Sequence, residues 1–324
     1  MESLTLLGFI GILRDALKIF TKNGKIIASI ILFTLFVKSL LFLTNLFSIK
    51  PLITDIAFEK FLLHFTTPGK PEFTNIFNHI IKDIKIIFGI EITYIIFDFV
   101  SILLSSTATI LAAVIIHGGK QEHLPVKELL LRTVKSWKRP LVTWLYIFLF
   151  SLVYVFIFVA ILFLGIQITN HNPIFSAIFA IVLGISASIL YIHLSVTWTL
   201  AIVVSVAEQI RGLEALGKAA QIVEGMKRQG FLLNLVFTIL SLIMAQGTRL
   251  ISSRKSFVLA IILALVIINV ASLVRMYCLA AFTVFYYRCK KTHGENVELE
   301  GIVSPNEYRK IPTTALLVSD DNIP

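Results

Sequence analysis

Long apolar runs separated by short basic breaks set the pattern of this chain. A helix crossing a bilayer needs about 20 mostly apolar residues. Six segments reach or approach that length: 26–48, 86–117, 141–168, 175–205, 231–247 and 257–286. The fifth is the shortest, and the second, fourth and sixth are long enough to tilt or to run past the bilayer. An even number of spans puts both termini on one side.

Three of the connections on that side share a plan: an amphipathic helix, a basic break, then a span. They are "LRDALKIFTKNGKIIASIILF", "VKELLLRTVKSWKRPLVTWLYIF" and "LEALGKAAQIVEGMKRQGFLLNLVF". At 100° per residue Leu6, Phe9, Ile10, Leu13, Leu17 and Phe20 share a face opposite Arg14, Asp15, Lys18 and Lys22. In the second segment Val126, Leu129, Leu130, Val134 and Trp137 oppose Glu128, Arg132, Lys135 and Lys138. In the third Leu213, Leu216, Ala220 and Val223 oppose Arg211, Glu214 and Lys218. Helices of this kind are expected to lie in the headgroup plane with the apolar face down. The chain then divides into an N-terminal interfacial helix (1–25), a six-span membrane domain (26–286) and a flexible tail (287–324). In the large opposite loop, 49–85, "TDIAFEKFLLHFTT" and "PEFTNIFNHIIKDIKIIFG" read as two short surface helices around the turn "PGKP".

The second span carries two acids in "EITYIIFDFVSILLSST". Glu91, Tyr94, Asp98, Ser101, Ser105 and Thr109 fall within an arc of roughly 80°, a polar stripe that cannot comfortably face lipid. Lys38 in the first span shares a face with Thr34 and Asn45, and its depth matches that of Asp98. Arg275 in the last span lies about a turn deeper, where Ser105, Thr109 or backbone carbonyls could meet it. The stripe is either a buried pair with hydrogen bonds that fix helix registry, or a hydrophilic cavity for an amphipathic ligand. Glu91 alone could instead reach the outer interface. The candidate polar network is thus Lys38, Glu91, Tyr94, Asp98, Ser101, Ser105 and Arg275.

Composition strengthens the membrane reading. The 324 residues are 57% hydrophobic and 15% charged, with a mean hydropathy of +0.89, against about 25% charged for soluble domains. A net charge of +10 would suggest nucleic acid in a soluble protein; here the basic residues sit between apolar runs, so nucleic acid is not an expected partner. The segments on the terminus-bearing side hold 19 Lys and Arg, against 8 on the other side and two within spans. The positive-inside bias predicts that both ends are cytosolic, in an endomembrane such as the ER or in the plasma membrane.

Chemistry is sparse. There is no Gly-rich phosphate loop, HExxH, GxSxG or aspartate-rich diphosphate motif. His64, His79 and His193 have no partners at metal-ligand spacing, so neither a metal nor a cofactor is expected. Ser188, Tyr191, Ser195 and Thr199 share a face of the fourth span and read as hydroxyls bonding to a helix. Cys289, beside Arg288, Lys290 and Lys291, is a candidate for palmitoylation, and Tyr308–Ile311 ("YRKI") has the form of a tyrosine sorting signal. The better reading of both is an unmodified, solvated tail.

The stretches "VSVAEQIRGLEALGKAAQIVEGMKRQGFLLNL" and "LLRTVKSWKRPLVTWLY" resemble a family of plant six-span membrane proteins of unassigned biochemical function. More remotely, Gly212, Leu213, Ala215 and Leu216 resemble the interfacial helix of bacterial membrane domains that accompany glycerophosphodiester phosphodiesterases. The likeness spans residues from about 5 to 290 and implies architecture; the phosphodiesterase catalytic domain has no counterpart here.

The expectation is an all-α, six-helix transmembrane bundle with amphipathic interfacial helices on the cytosolic side. It would bind or pass a lipid-like or amphipathic solute, or organise membrane partners. Its partners would be membrane lipids, such a solute, and other membrane proteins or further copies of the chain. The alternative is a membrane-embedded enzyme using Asp98 or Glu91 as acid or base.

Overall fold

The computed structural model describes residues 2–22, 24–67, 69–117, 126–168, 173–252 and 256–293, and every regular element among them is helical. In chain order these are α1 (Glu2–Lys22), α2 (Gly24–Phe65), α3 (Pro71–His117), α4 (Val126–Ser136), α5 (Lys138–Ile168), α6 (Pro173–Ala207), α7 (Leu213–Val223), α8 (Lys227–Ser252) and α9 (Phe257–Thr292). The six helices long and apolar enough to cross a membrane are α2, α3, α5, α6, α8 and α9. They form three antiparallel hairpins, each preceded by a short helix, and α9 touches all three.

Segment 49–85 departs from its expected form. There are no separate surface helices: α2 and α3 run on as one long hairpin. The 42 residues of α2 extend about 63 Å at 1.5 Å per residue, roughly twice a hydrocarbon core of about 30 Å. The reason is a period the local reading misses. Ile49, Leu52, Ile56, Glu59 and Leu63 on α2, and Phe73, Ile76, Ile80, Asp83, Ile87 and Ile90 on α3, are buried or half-buried. They alternate three and four residues apart, the seam of an antiparallel coiled coil. Pro51 interrupts α2 without ending it. The carbonyl it frees, at Phe47, lies at the polar end of the apolar run, where water can serve it. Carried inward, the same seam brings Tyr94 and Asp98 of α3 against α2.

Burial concentrates at the end that carries α1, α4 and α7. Phe282 and Phe285 of α9, Leu200 and Val203 of α6 and Ile110 of α3 are completely buried there. No residue of α6 before Val196 is buried, so the far half of the α5–α6 hairpin is open on both flanks.

The short helices each pack one face on the protein core and leave part of the face the sequence suggests exposed. In α1 the buried residues are Ile12, Ala16 and Ile19, whereas Ile10 and Leu17 are more than half exposed. Leu129 and Thr133 are the buried positions of α4, with Leu130, Leu131 and Val134 exposed. α7 buries Ala215, Ala219, Ile222 and Val223 and exposes Leu213. Each helix therefore packs one face on protein and keeps a second apolar strip free. Small residues explain the choice in α1 and α7, since Ala16, Ala215 and Ala219 allow close approach of backbones.

Polar contacts fasten this end. Arg288 donates to Asp15 Oδ2 at 2.6 Å and to the Gly8 carbonyl at 2.9 Å, and Tyr277 donates to the Leu13 carbonyl at 2.9 Å. Burial pushes the Asp15 carboxyl up, but the Arg288 and Lys18 hydrogen bonds and charges outweigh it and hold it below the ordinary value. Glu208, just past α6, joins α7 and α9 by accepting from Lys218, Tyr286 and Lys290. Burial raises its carboxyl too, and these three partners again hold it low. α7 opens at Gly212, whose φ of 64° favours glycine; its N–H donates to Thr143 Oγ1 at 3.0 Å.

α9 continues to Thr292, past the expected span end, and takes Cys289 into the core at 0% exposure. That burial removes the thiol from any acylating partner. The rest of the tail, with Tyr308–Ile311, lies outside the described residues.

Candidate functional site

Lys38, twelve residues into the first apolar run, stands about 18 Å from its start. Arg275 stands eleven residues from the end of the last run, about 17 Å from the same side. Both are therefore near the middle of a bilayer, and α2, α3 and α9 hold them around one cavity of about 300 Å³. Its polar lining is Thr34, Lys38, Tyr94, Asp98, Ser105, Ser106, Ser272 and Arg275; Ile102, Ile268 and Leu279 contribute apolar walls.

Lys38 Nζ pairs directly with Asp98 Oδ1, and both side chains are largely buried, at 11% and 26% exposure. Arg275 lies close enough for its charge to act on each of them. The cavity thus holds two cations and one anion. Its hydroxyls divide into two groups. Thr34 donates to Ile30 O at 2.7 Å, Ser105 to Ile102 O at 3.1 Å and Ser272 to Ile268 O at 2.8 Å. The Tyr94 and Ser106 hydroxyls and the Arg275 guanidinium make no hydrogen bond or ion pair among the described residues. An Arg at mid-bilayer costs about 2.5–3.5 kcal/mol on insertion scales, and such groups normally face a partner or a cavity.

The structure brings five of the candidate residues together: Lys38, Tyr94, Asp98, Ser105 and Arg275. Glu91 and Ser101 are half-buried on α3 but do not line the cavity. Thr109, considered as a partner for Arg275, instead donates to Ser105 O at 2.7 Å. One neighbouring contact is not legible from the stripe: Asn269 Nδ2 of α9 donates to Ser39 Oγ at 3.0 Å, tying α9 to α2 beside the cavity. An amide alone in an apolar run was the available signal. On α6, Ser195 pairs with Asn234 of α8, and His193 stacks on Phe231. No group of His, Cys, Asp and Glu among the described residues could hold a metal ion.

Six apolar spans and a charged cavity at mid-depth define a multi-pass membrane protein. Within that class the chain belongs to the family described as a domain of unknown function, DUF8558, whose model matches residues 1–304. No curated protein and no solved structure matches it.

Proposed function

We propose that the protein binds or passes a lipid-like, amphipathic solute through the cavity between α2, α3 and α9. The observation that carries this reading is a half-open cavity of about 300 Å³ that sets charged and hydroxyl groups among apolar walls, between spans whose outer faces are apolar. Pockets for small ligands run from about 300 to 1,000 Å³. This one has room for a headgroup, and a hydrocarbon tail would lie along Ile102 and Ile268 toward the lipid. The pairing of Asp98 with Lys38 supports binding over acid–base catalysis, because a carboxylate committed to an ammonium is a poor proton donor. Organisation of membrane partners, or of further copies of the chain, would use the open flanks of the α5–α6 hairpin.

The test is the lipid that accompanies the purified protein. Mass spectrometry of protein from a lipid extract should find a bound amphiphile that Ala271→Phe, which fills the cavity wall, releases at least fivefold. Equal recovery from both proteins would place any bound lipid elsewhere and defeat the reading.

The proposal includes orientation and source. With 19 basic residues on the terminus-bearing side against 8 opposite, both termini are cytosolic, in the ER or the plasma membrane of a plant cell. The long α2–α3 hairpin then projects from the non-cytosolic face. A tag placed after Pro324 should be cut by protease added to permeabilised cells that retain closed organelles. Protection of the tag there would reverse the orientation.

A further inference from the structure

The cavity holds one more cation than anion, and its uncommitted groups include the Arg275 guanidinium and hydroxyls able to donate. Lys38 is engaged by Asp98. Arg275 makes no hydrogen bond or ion pair among the described residues, although Asp98 is near enough for its charge to act on it, and the Ser106 hydroxyl lining the same cavity makes no hydrogen bond either. Nothing in the fold needs that arrangement: Ser39–Asn269 and Lys38–Asp98 already tie α2 to α9 and α3. A guanidinium presents several N–H groups in a planar fork that suits the paired oxygens of a carboxylate or phosphate. Arg275 is exposed at the half-open side of the cavity; at mid-bilayer depth its field is weakly screened.

Resting on the binding function above, we propose that the ligand's polar end is an oxyanion, a phosphate or carboxylate headgroup, held by Arg275 with Ser106, which stands at the same depth, eleven residues from the same end of its run. Lys38–Asp98 sets the floor of the site, and its carboxylate rejects a second negative charge beside it. The ligand is thus an anionic amphiphile whose tail runs out between the apolar spans. Neutral lipids of the same chain length lack the group that Arg275 needs. A soluble oxyanion offers that group without the tail.

Purified protein in neutral detergent is loaded with dioleoyl phosphatidic acid or with dioleoylglycerol, and retained lipid is counted by native mass spectrometry. The native protein should retain the phosphatidic acid at least tenfold better. Arg275→Gln should lose that preference, Arg275→Lys should keep part of it, and Lys135→Gln, an exposed change on α4, should keep all of it. Stripped of lipid, Arg275→Gln should melt close to the native protein, because the guanidinium makes no hydrogen bond or ion pair among the described residues and Asp98 keeps Lys38. If Arg275→Gln does not fold, Ser106→Ala and Arg275→Lys carry the comparison, each with a weakened preference. Equal retention of the two lipids by the native protein overturns the oxyanion assignment while leaving amphiphile binding standing. Stabilisation by inorganic phosphate without preference for the phosphatidic acid also overturns it, since the ligand is then a soluble anion. Retention of neither lipid above the Ala271→Phe level defeats the binding function itself.

Discussion

Asp98→Ala is expected to destabilise the bundle more than any other single change in the membrane half, by roughly 3–5 kcal/mol. The variant leaves Lys38 and Arg275 facing one cavity with no anion between them. Lys38→Ala should cost less, because Arg275 remains within reach of the stranded carboxylate. Joint replacement of Asp98 and Lys38 by Ala should be nearly neutral, since a buried pair removed whole takes its desolvation cost with it. The values will be compressed if the unfolded reference in lipid also finds partners for these groups. Thermal unfolding followed by size exclusion supplies the four corners of the cycle. Additive losses would mean that Lys38 and Asp98 stand side by side without stabilising one another.

How much of this site was legible follows from where its residues lie. Lys38 and Asp98 stand out because a charge in an apolar run has few ways to be accommodated, and their depths can be matched by counting residues. Glu91 stands out for the same reason, yet it lies just beyond the cavity, about one turn outside Tyr94. Depth along one helix does not say what its neighbours leave open. The stripe arc likewise gathered Ser101 with Ser105, although only Ser105 reaches the cavity. The free guanidinium of Arg275 was beyond sequence reasoning: its candidate partners, Ser105 and Thr109, are engaged by their own helix.

The long hairpin is legible only when the whole of 49–85 is read together. Read locally, 49–65 and 71–85 each look amphipathic, and a proline at 51 argues for a break. Read over the whole loop, the half-buried positions keep a period of 3.5 on both strands of the hairpin, and that period specifies a partner helix rather than a flat surface. Glu59 and Asp83 sit within this seam, which weakens its apolar signal and explains why the pattern is easy to overlook.

The N-terminal helix poses the same question in a form that a measurement can decide. Nearly two thirds of the circumference of α1 is apolar, so periodicity alone does not say which residues meet protein and which meet lipid. The structure places Ile12 and Ala16 at 0% exposure against the core and leaves Ile10 58% exposed. Arg288, over Asp15 and the Gly8 carbonyl, fixes that rotation. Gly11 leaves room for the contact, since a Cβ there would stand 2.9 Å from the guanidinium, and Gly8 leaves room for Gln229. Ile12→Ala should then cost about 2–5 kcal/mol, the usual range for truncating a buried aliphatic side chain. Ile10→Ala should change stability by less than about 0.5 kcal/mol, as for other surface positions. Melting of the two variants in the same detergent gives the comparison directly. A larger loss at Ile10 than at Ile12 would mean that Ile10, not Ile12, packs against the core, and would overturn this rotation of α1.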